Sequence, residues 1–435
     1  MKPIKVGLLG IGTVGAGTFN VLRRNQEDIR RRAGRGIEIT MVAARNLERA
    51  AHLTDGQCRI VDDPFQVVDS PDVDIVVELI GGYELPRELV LRAIANGKHV
   101  VTANKALLAL HGNEIFAAAQ EKGVMVAFEA AVAGGVPIIK ALREGLTANR
   151  IESVAGIING TTNFILSEMR DKGLGFDTVL KSAQELGYAE ADPTFDIEGV
   201  DAAHKLTIMS AIAFGIPVQF EKAHVEGISA LQADDIRYAE ELGYRIKLLG
   251  ITRRTSAGIE LRVHPTLIPA TRLIANVEGA MNAVLVEADA VGSTLYYGKG
   301  AGSEPTASSV IADLVDVTRL ATVDPYCRVP HLAFQPNQMS DVAILPVSEI
   351  TTSYYLRVNV NDQLGVMADL TRILADAGIS IDAVLQKGTR GGERADIIMV
   401  THQTREKNVD AAIERIEALG SVVGKVIRIR LETLS

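Results

Sequence analysis

The stretch "IKVGLLGIGTVG" at residues 4–15 decides the fold, because a short apolar run leads directly into a GxGxxG pattern. Apolar residues followed at once by glycines, and then by a helical pattern at 18–24, predict a strand, a tight turn and a helix. In such a turn Gly10 permits the bend, Gly12 lets the backbone approach a pyrophosphate, and Gly15 allows the helix to pack close to the strand. The sequence therefore predicts a dinucleotide site with the amino terminus of the helix facing the phosphates.

The sequence up to about residue 145 continues to alternate strands with helices. This alternation predicts a parallel, doubly wound sheet of the Rossmann type, in the α/β class. Further strands are predicted at 37–44, 59–61, 72–82, 98–104 and 124–128, with helices starting at Leu47 and spanning 86–96 and 105–122.

Beyond about residue 145 the pattern changes, and we expect a second domain of the α+β class that serves catalysis and dimerisation. Residues 150–166, "RIESVAGIINGTTNFIL", predict a strand, an Asn-Gly turn and a helix. A glycine-rich turn precedes an amphipathic helix at 306–321, which we expect to pack back onto the first domain. Other strands are predicted at 246–252, 259–263 and 284–290, separated by helices and by a proline-containing segment near 265.

The carboxyl-terminal part of the sequence forms a self-contained module. Residues 328–350 contain Pro330, Pro336 and Pro346 and are predicted to be extended. After them, strand and helix patterns follow in βαββαβ order, which predicts a ferredoxin-like module. The predicted domains are 1–145, completed by the helix at 306–321, then 146–305, a linker at 322–350, and the module at 351–435.

Composition narrows the possible functions. The 435 residues are 47% hydrophobic, which excludes a disordered protein, and the net charge of −9 argues against nucleic acid as the main partner. The two cysteines, Cys58 and Cys327, have no metal-ligand spacing, so we expect neither a disulfide framework nor a structural zinc site. No signal-peptide pattern and no run of about 18 apolar residues is found, so we expect a cytoplasmic protein without a membrane segment.

The end of the second predicted strand bears on the choice of cofactor. An NAD site would place Asp or Glu there for the ribose 2′-hydroxyl, whereas this sequence has "VAARN", with Arg45 at that position. Arginine suits a 2′-phosphate, so we expect NADP(H) to be preferred and NAD(H) to be tolerated. The alternative is an ordinary surface arginine. Lys105 begins a helix at the carboxyl edge of the sheet, where open α/β sheets bind ligands, so we expect it to belong to the site.

The type of reaction follows from the catalytic groups that the chain offers. Aldehyde oxidation through a thioester needs a nucleophilic cysteine, and neither cysteine suits that role. Without zinc-ligand spacing, alcohol–carbonyl interconversion with a lysine or histidine as proton donor is left. If the chain is helical from Val200, Asp201 and Lys205 share one face and His204 points elsewhere. The preceding carboxylate-rich loop, residues 187–199, is suited to grasping an ammonium group; the alternative is an ordinary surface ion pair.

Five motifs follow one another along residues 1–340: "GIGTVG" at 10–15, "TANK" at 102–105, "NGTTNFIL" at 159–166, "GYAEADPTFDIEGVDAAHKLTI" at 187–208 and "GAGSEPTASSVIADL" at 300–314. Together they resemble homoserine dehydrogenases, and the carboxyl-terminal module resembles the ACT domain that long forms of that family carry. The resemblance implies the reversible NAD(P)H-dependent reduction of L-aspartate 4-semialdehyde to L-homoserine, on the branch to threonine, isoleucine and methionine.

The resemblance also implies roles for individual residues. Lys205 corresponds to the acid/base, and Lys105 to a second lysine that contacts cofactor and substrate. Glu190 and Asp201 are implied to bind the substrate, through its ammonium group, with Asp196 assisting. Cofactor contacts are implied for Thr13, Val14, Arg45, Gly187 and Gly302, besides Gly10, Gly12 and Gly15 of the turn. The backbone carbonyls of Glu129, Val132, Gly134 and Val136, in "EAAVAGGV", are implied to hold a structural sodium or potassium ion.

Asn361, Asp362 and Gly365 lie between a strand and a helix of the module, where ACT domains bind amino acids at a dimer interface. The resulting hypothesis is feedback by L-threonine in a homodimer or homotetramer, and the alternative is that the module only dimerises. Asp192 and Glu198 are expected to be merely solvated. Two other functions stay open: another NAD(P)-dependent reductase of a small amino-acid-like carbonyl, and a non-catalytic amino-acid sensor, which should lack the lysine pair.

Overall fold

The computed structural model describes residues 2–388 and 393–434. In chain order the strands are β1 (Ile4–Leu9), β2 (Ile37–Ala43), β3 (Arg59–Val61), β4 (Ile75–Glu78), β5 (His99–Thr102), β6 (Val126–Ala127), β7 (Ile151–Ile157), β8 (His224–Val225), β9 (Tyr244–Arg254), β10 (Ile259–Pro269), β11 (Met281–Ala288), β12 (Gly292–Lys299), β13 (Thr351–Asn361), β14 (Ile381–Gly388), β15 (Arg394–Thr401), β16 (Thr404–Arg405) and β17 (Ile427–Leu431).

Within the same described residues, no helix combines the length and the apolar character needed to span a membrane. The helices are α1 (Thr13–Arg24), α2 (Gln26–Ala33), α3 (Leu47–Leu53), α4 (Phe65–Asp69), α5 (Glu84–Ala95), α6 (Lys105–Lys122), α7 (Ile138–Lys140), α8 (Gly160–Lys172), α9 (Phe176–Glu185), α10 (Thr194–Ile197), α11 (Val200–Phe214), α12 (Ala233–Glu241), α13 (Ser303–Leu320), α14 (Val366–Asp376) and α15 (Glu406–Glu417). Short 3₁₀ turns lie at Glu129–Ala131, Phe220–Lys222, Ile274–Asn276, Pro325–Cys327, Pro336–Gln338 and Val347–Glu349, and a π turn lies at Ala141–Gly145.

The predicted Rossmann-type sheet is confirmed. Its six strands lie in the order β3-β2-β1-β4-β5-β6, and every neighbouring pair is parallel. The central strands β1 and β4 are mostly apolar because helices cover both faces, and Val6, Leu8 and Leu9 of β1 are fully buried. The strand order reverses at β1, so the carboxyl end of β1 lies at the switch point where such sheets bind ligands.

Helix α13 packs against this sheet's first helix, α1, and shares its hydrophobic core. Val310 and Leu314 belong to the same buried cluster as Val6 and Leu8. The helix begins at Ser303, earlier than the predicted residue 306. Proline is tolerated there, because Pro305 lies in the first turn, where its missing N–H removes no helical hydrogen bond.

The chain folds into two compact units built from interleaved segments, whereas the sequence predicts consecutive domains. The first unit comprises residues 1–160, 201–223 and 280–342. It contains the parallel sheet, helix α11, and the antiparallel strands β12, β11 and β7 in that order. The strand predicted at 284–290 is confirmed as β11, but its hairpin partner β12 was not predicted. The largely polar sequence of β12 gives little hydrophobic signal, which explains the omission.

The second unit comprises residues 161–200, 224–279 and 343–435. Its strands follow the order β9-β10-β17-β13-β15-β14, and the βαββαβ module predicted at the carboxyl terminus is confirmed. The predicted break near residue 265 is wrong, because β10 continues through Pro265. On one edge of β10, β8 pairs at Arg262 and Val263 and β17 pairs at Thr266 and Leu267. Pro265 lies between these two pairings, where a missing N–H is tolerated.

Candidate active site

The glycine turn after β1 leaves a backbone-lined hollow in front of α1. Gly10 has a φ of +93°, and a Cβ there would lie 3.0 Å from the Leu79 carbonyl oxygen. A Cβ on Gly15 would lie 2.2 Å from the Gly10 carbonyl oxygen, so only glycine permits this close packing. A Cβ on Gly12 would meet nothing within 4 Å, so the space beside the turn is open. These features fit the phosphates of a dinucleotide.

A second helix begins beside the glycine turn. The Ser303 hydroxyl, in the first residue of α13, donates to the Thr13 carbonyl oxygen at 2.7 Å. Gly302 precedes it with a φ of +123°. Val14, half-buried, lies in the first turn of α1. The structure thus brings the predicted cofactor residues of α1 and α13 together, with both helix amino termini at one place, where anions are favoured.

Arg45 lies just past β2, whose end is tied to the glycine turn. The Gly10 N–H donates to the Ala43 carbonyl oxygen at 3.0 Å. The Arg45 side chain is exposed, and within the described part of the chain it forms no ion pair with an acidic residue. The next residue, Asn46, caps α3 by accepting from the Arg49 N–H at 2.8 Å. An uncommitted guanidinium at this position is compatible with binding a ligand phosphate.

The centre of the site is a buried carboxylate that binds two lysines. The Lys205 ammonium donates to Asp201 Oδ2 at 2.6 Å, and Lys105 Nζ lies 3.1 Å from Asp201 Oδ1. The Asn159 amide donates to Asp201 Oδ2 at 2.8 Å, and Lys205 also donates to the Ile158 carbonyl oxygen at 2.8 Å. We call Lys105, Asp201 and Lys205 the lysine centre. The alternative of an ordinary surface ion pair is wrong, because the side chains of Asp201 and Lys205 are only 4% and 11% exposed.

The electrostatics of the lysine centre keep its carboxylate ionised. Burial alone would raise the pKa of Asp201, but the ammonium groups of Lys205 and Lys105 and the bond from Asn159 hold it well below its usual range. The ionised carboxylate holds both ammonium groups in place. The neighbouring His204 packs edge-on against Phe220, and burial lowers its pKa to about 4, so it is neutral. A positioned ammonium group is suited to stabilising an oxygen that becomes negative.

Glu78, which the sequence analysis did not identify, supports the start of α6. It ends β4 fully buried, and its carboxylate accepts from the Thr102 hydroxyl at 2.6 Å and from the Ile80 N–H at 2.8 Å. Thr102 Oγ1 accepts in turn from the N–H of Asn104, the residue that caps α6 before Lys105. Burial raises the pKa of Glu78 to about 7. The only signal in the sequence was an acid at the end of an apolar strand.

The carboxylate-rich loop lies in the second unit. Glu190 is exposed there, with its backbone carbonyl oxygen accepting from the Gln184 side chain at 3.0 Å, while Gly187 has a φ of +78° and Asp196 is half-buried in α10. The expectation that Asp192 and Glu198 are merely solvated needs correction for Glu198. Asp192 is exposed, and its carboxylate accepts from the Thr194 N–H at 3.1 Å within the same loop. Glu198 accepts from the Ser229 hydroxyl at 2.7 Å.

The segment predicted to hold a monovalent cation is buried and rich in oxygen. Gly134 has a φ of +49°, and its carbonyl oxygen accepts from the Ser309 hydroxyl at 2.6 Å. The Val136 carbonyl oxygen accepts from the Ile138 N–H at 2.8 Å. Glu129 and Val132, which come earlier in the same segment, are buried. Carbonyl oxygens are ligands that hard cations prefer, and each keeps a second lone pair after it has accepted one hydrogen bond. Over residues 2–388 and 393–434, no cluster of three or more His, Cys, Asp or Glu side chains is arranged for a metal.

The predicted effector residues lie together in the loop between β13 and α14. The Asn361 N–H donates to the Ser421 carbonyl oxygen at 2.8 Å, and the Asp362 N–H donates to the Glu393 carbonyl oxygen at 3.0 Å. Gly365 has a φ of +92° and precedes α14 directly. The backbone of the loop is therefore anchored, and Asn361 ends β13 while Asp362 lies in sequence between it and the start of α14.

Three family descriptions match the chain in the order of its segments. The description "Homoserine dehydrogenase, NAD binding domain" matches residues 10–129, "Homoserine dehydrogenase" matches 137–315, and "ACT domain" matches 354–421. The first match covers the glycine turn and Lys105, and the second covers Asp201 and Lys205. The third covers most of the carboxyl-terminal module.

Proteins named homoserine dehydrogenase are similar to this chain over their whole length. The chain is 63% identical over 436 residues to a homoserine dehydrogenase of Pseudomonas aeruginosa, with 100% of both chains covered. It is 59% identical over 434 residues to that of Neisseria gonorrhoeae, again with 100% of both covered. The crystal structure of a homoserine dehydrogenase from Thiobacillus denitrificans superposes with a TM-score of 0.96 at 71% identity, covering 100% of this chain and 99% of that chain.

Proposed function

The chain belongs to the homoserine dehydrogenase family, and from that premise we propose how its residues perform the family's reaction. The protein is an NAD(P)-dependent oxidoreductase that reversibly reduces L-aspartate 4-semialdehyde to L-homoserine. The observation that supports our assignment of the chemistry is the buried Asp201 carboxylate that binds both Lys205 and Lys105. The bound nicotinamide supplies the hydride.

In this proposal, Lys205 is the acid/base. As the aldehyde carbon is reduced, negative charge develops on its oxygen, and the Lys205 ammonium stabilises that charge and donates the proton. Asp201 orients the Lys205 side chain, because its carboxylate lies one helical turn earlier and binds the Lys205 ammonium group. Lys105, which is 35% exposed, contacts both cofactor and substrate. In the reverse direction, neutral Lys205 accepts the proton of the homoserine hydroxyl.

We assign recognition of the substrate ammonium group to Glu190 and Asp201, with Asp196 assisting. Glu190 is supported by its exposed side chain in the carboxylate-rich loop. Charged hydrogen bonds to an ammonium group stabilise binding by about 1.5–3 kcal/mol each, enough to select an amino acid over a plain aldehyde.

We propose that NADP(H) is preferred and NAD(H) tolerated, through Arg45. The other cofactor contacts are assigned to Gly10, Gly12, Thr13, Val14, Gly15, Gly187, Gly302 and Lys105. We further propose a sodium or potassium ion on the carbonyl oxygens of Glu129, Val132, Gly134 and Val136, where it would order the buried segment that leads into α7.

The carboxyl-terminal module is proposed to bind L-threonine at Asn361, Asp362 and Gly365 and so to regulate the reaction. We also propose a homodimer or homotetramer in the cytoplasm. L-Threonine titrated into the assay tests the effector. Activity that stays unchanged at millimolar threonine would contradict it.

The catalytic assignment is tested by the oxidation of NADPH in the presence of L-aspartate 4-semialdehyde, followed by absorbance for the wild type and for Lys205→Ala. We expect rapid oxidation by the wild type and a loss of orders of magnitude in the variant, with NADPH still bound. Near-normal turnover by the variant would contradict the role of Lys205.

A further inference from the structure

A buried arginine of the carboxyl-terminal module holds a glutamate outside the module. Arg430, on β17, is only 1% exposed. Its guanidinium donates to both carboxylate oxygens of Glu226, at 2.8 and 2.9 Å, and its Nε donates to Glu406 at 2.8 Å. Within the module, the Tyr354 hydroxyl donates to Glu406 at 2.8 Å. Two parallel bonds from a planar guanidinium fix both the distance and the direction of Glu226.

The segment that begins with Glu226, residues 226–229, packs on the end of the carboxylate-rich loop. The Ile228 N–H donates to the Ile197 carbonyl oxygen at 2.8 Å. The Ser229 hydroxyl donates to Glu198 at 2.7 Å. The segment is therefore joined to the loop by one backbone and one side-chain hydrogen bond.

Two glycines allow the segment and the loop to meet backbone to backbone. A Cβ on Gly227 would lie 2.5 Å from the Ile197 carbonyl oxygen, so no side chain fits there. Gly199, at the end of the loop, has a φ of +80°, and a Cβ there would lie 3.4 Å from the Glu226 carbonyl oxygen. Because no side chain separates the two backbones, a displacement of the segment displaces the loop.

A cavity of about 730 Å³ borders this junction. Its lining includes Gly227 and Ser229 of the segment, and Asp410, Ile413 and Arg428 of the module. The bonds between Arg430 and Glu226 attach segment 226–229 to the module at this cavity.

We infer that Arg430 is a positioning residue for the substrate: through Glu226 it fixes segment 226–229, and thereby the loop that contains Glu190 and Asp196. This inference rests on the proposed function, in which that loop binds the substrate ammonium group. It makes the affinity for substrate, and not the affinity for cofactor, depend on the carboxyl-terminal module. An amino acid bound to the module thereby has a route to the substrate loop.

The test compares Arg430→Lys and Glu226→Gln with a matched control, Arg262→Lys. Arg262 is also 1% exposed and lies on the neighbouring strand β10, but it donates to Glu260 and Glu432 instead. We expect the KM for L-aspartate 4-semialdehyde to rise about tenfold in Arg430→Lys and in Glu226→Gln, and the KM for NADPH to stay within about twofold. The double variant should be no worse than the more affected single variant, because both changes break one link.

Thermal unfolding of each variant accompanies the kinetics. If Arg430→Lys does not fold, Glu226→Gln alone decides, since it preserves the shape of the side chain. An unchanged substrate KM in Glu226→Gln, or an equal rise in Arg262→Lys, would overturn the inference.

Glu190→Gln, measured in the same assay, separates this inference from the proposed function. If Glu190→Gln raises the substrate KM and Arg430→Lys and Glu226→Gln do not, only the positioning role is overturned. If Glu190→Gln leaves the substrate KM unchanged, the proposed substrate loop is overturned, and the positioning role with it.

Discussion

The lysine centre and the arginines of the second unit both form ionic clusters, yet their cations differ. In the lysine centre a carboxylate binds two lysine ammonium groups. The other cluster, which we call the arginine network, pairs carboxylates with guanidinium groups. Its members are Arg253, Arg262, Arg428, Arg430, Glu226, Glu260, Glu406, Glu432 and Asp410.

This difference separates a reactive cluster from a structural one. The arginine network fixes the position of its members, because removing one partner of a buried ion pair leaves an unpaired charge. A lysine ammonium can in addition donate its proton to an aldehyde oxygen under reduction, whereas a guanidinium stays protonated. The kind of cation therefore separates the proposed catalytic cluster from the positioning cluster, and the following changes test that distinction.

The largest effect is expected from Lys205→Ala. Loss of a positioned proton donor lowers turnover by about 10²–10⁴-fold, while NADPH affinity should be retained. Lys98→Ala is the matched control, since Lys98 is 6% exposed and donates to the Ser70 and Val73 carbonyl oxygens at 2.5 and 2.7 Å, before β5. The control should lose stability and keep its turnover per folded molecule. Equal losses of turnover in both variants would erase the distinction.

Asp201→Asn should affect both activity and stability. It removes the charge of the buried carboxylate that binds Lys205 and Lys105, and loss of one partner of a buried ion pair costs about 3–5 kcal/mol of unfolding free energy. Turnover should fall about 10²-fold, because Asp201 no longer orients the Lys205 ammonium group. Urea unfolding and steady-state kinetics measure the two effects. A variant of normal stability would mean that the carboxylate does not balance the lysines.

Arg45→Glu tests a single exposed cation outside both clusters. If Arg45 binds the 2′-phosphate, the ratio of kcat/KM for NADPH to that for NADH should fall about 10–100-fold, the effect of one charged hydrogen bond. Arg49→Glu, on the adjoining helix α3, is the control and should leave the ratio unchanged. An unchanged ratio in Arg45→Glu would indicate an ordinary surface arginine.

The smallest expected effect is that two glutamates, Glu78 and Glu226, make stability depend on pH in opposite directions. Burial raises the pKa of Glu78 from 4.5 to about 7, so its ionisation destabilises the fold progressively as the pH rises between those values. Burial also opposes ionisation of Glu226, but His224 and Arg430 hold its pKa well below the usual range, so its stabilisation is present above about pH 4.5 and is lost as the pH falls.

Thermal midpoints at several pH values measure this contrast. Relative to the wild type, Glu78→Gln should gain about 2 °C or more between pH 5 and pH 8. Glu226→Gln should lose more at pH 7 than at pH 4. The same sign of change in both variants would contradict the contrast.

Much of the first unit could be predicted because its signals are local. The glycine turn lies within residues 4–15, and the pair Asp201 and Lys205 is one helical turn apart, so spacing alone predicts their contact. The contact of Lys105 with Asp201 depends on packing between segments distant in sequence, and sequence alone gave only its place at the sheet edge. The sequence also did not indicate that Asp201 and Lys205 are buried, so an ordinary surface ion pair stayed open as an alternative.

The arginine network shows the limit of prediction most clearly. Nothing local links Arg430 to Glu226, since the two meet only when β17 pairs with β10. Glu198 looked solvated for the same reason, because its partner Ser229 lies beyond α11 in sequence. Pro265 indicated a break because proline disrupts the interior of a ladder, whereas the gap between two partner strands arises only in the assembled sheet.

The most direct test of the lysine centre is the single-turnover rate of hydride transfer in Lys205→Ala. Enzyme saturated with NADPH is mixed rapidly with excess L-aspartate 4-semialdehyde, and the loss of NADPH absorbance is followed. We predict that the rate of this step falls by at least about 10²-fold while NADPH binds as tightly as in the wild type. A wild-type rate of hydride transfer in the variant would contradict the account.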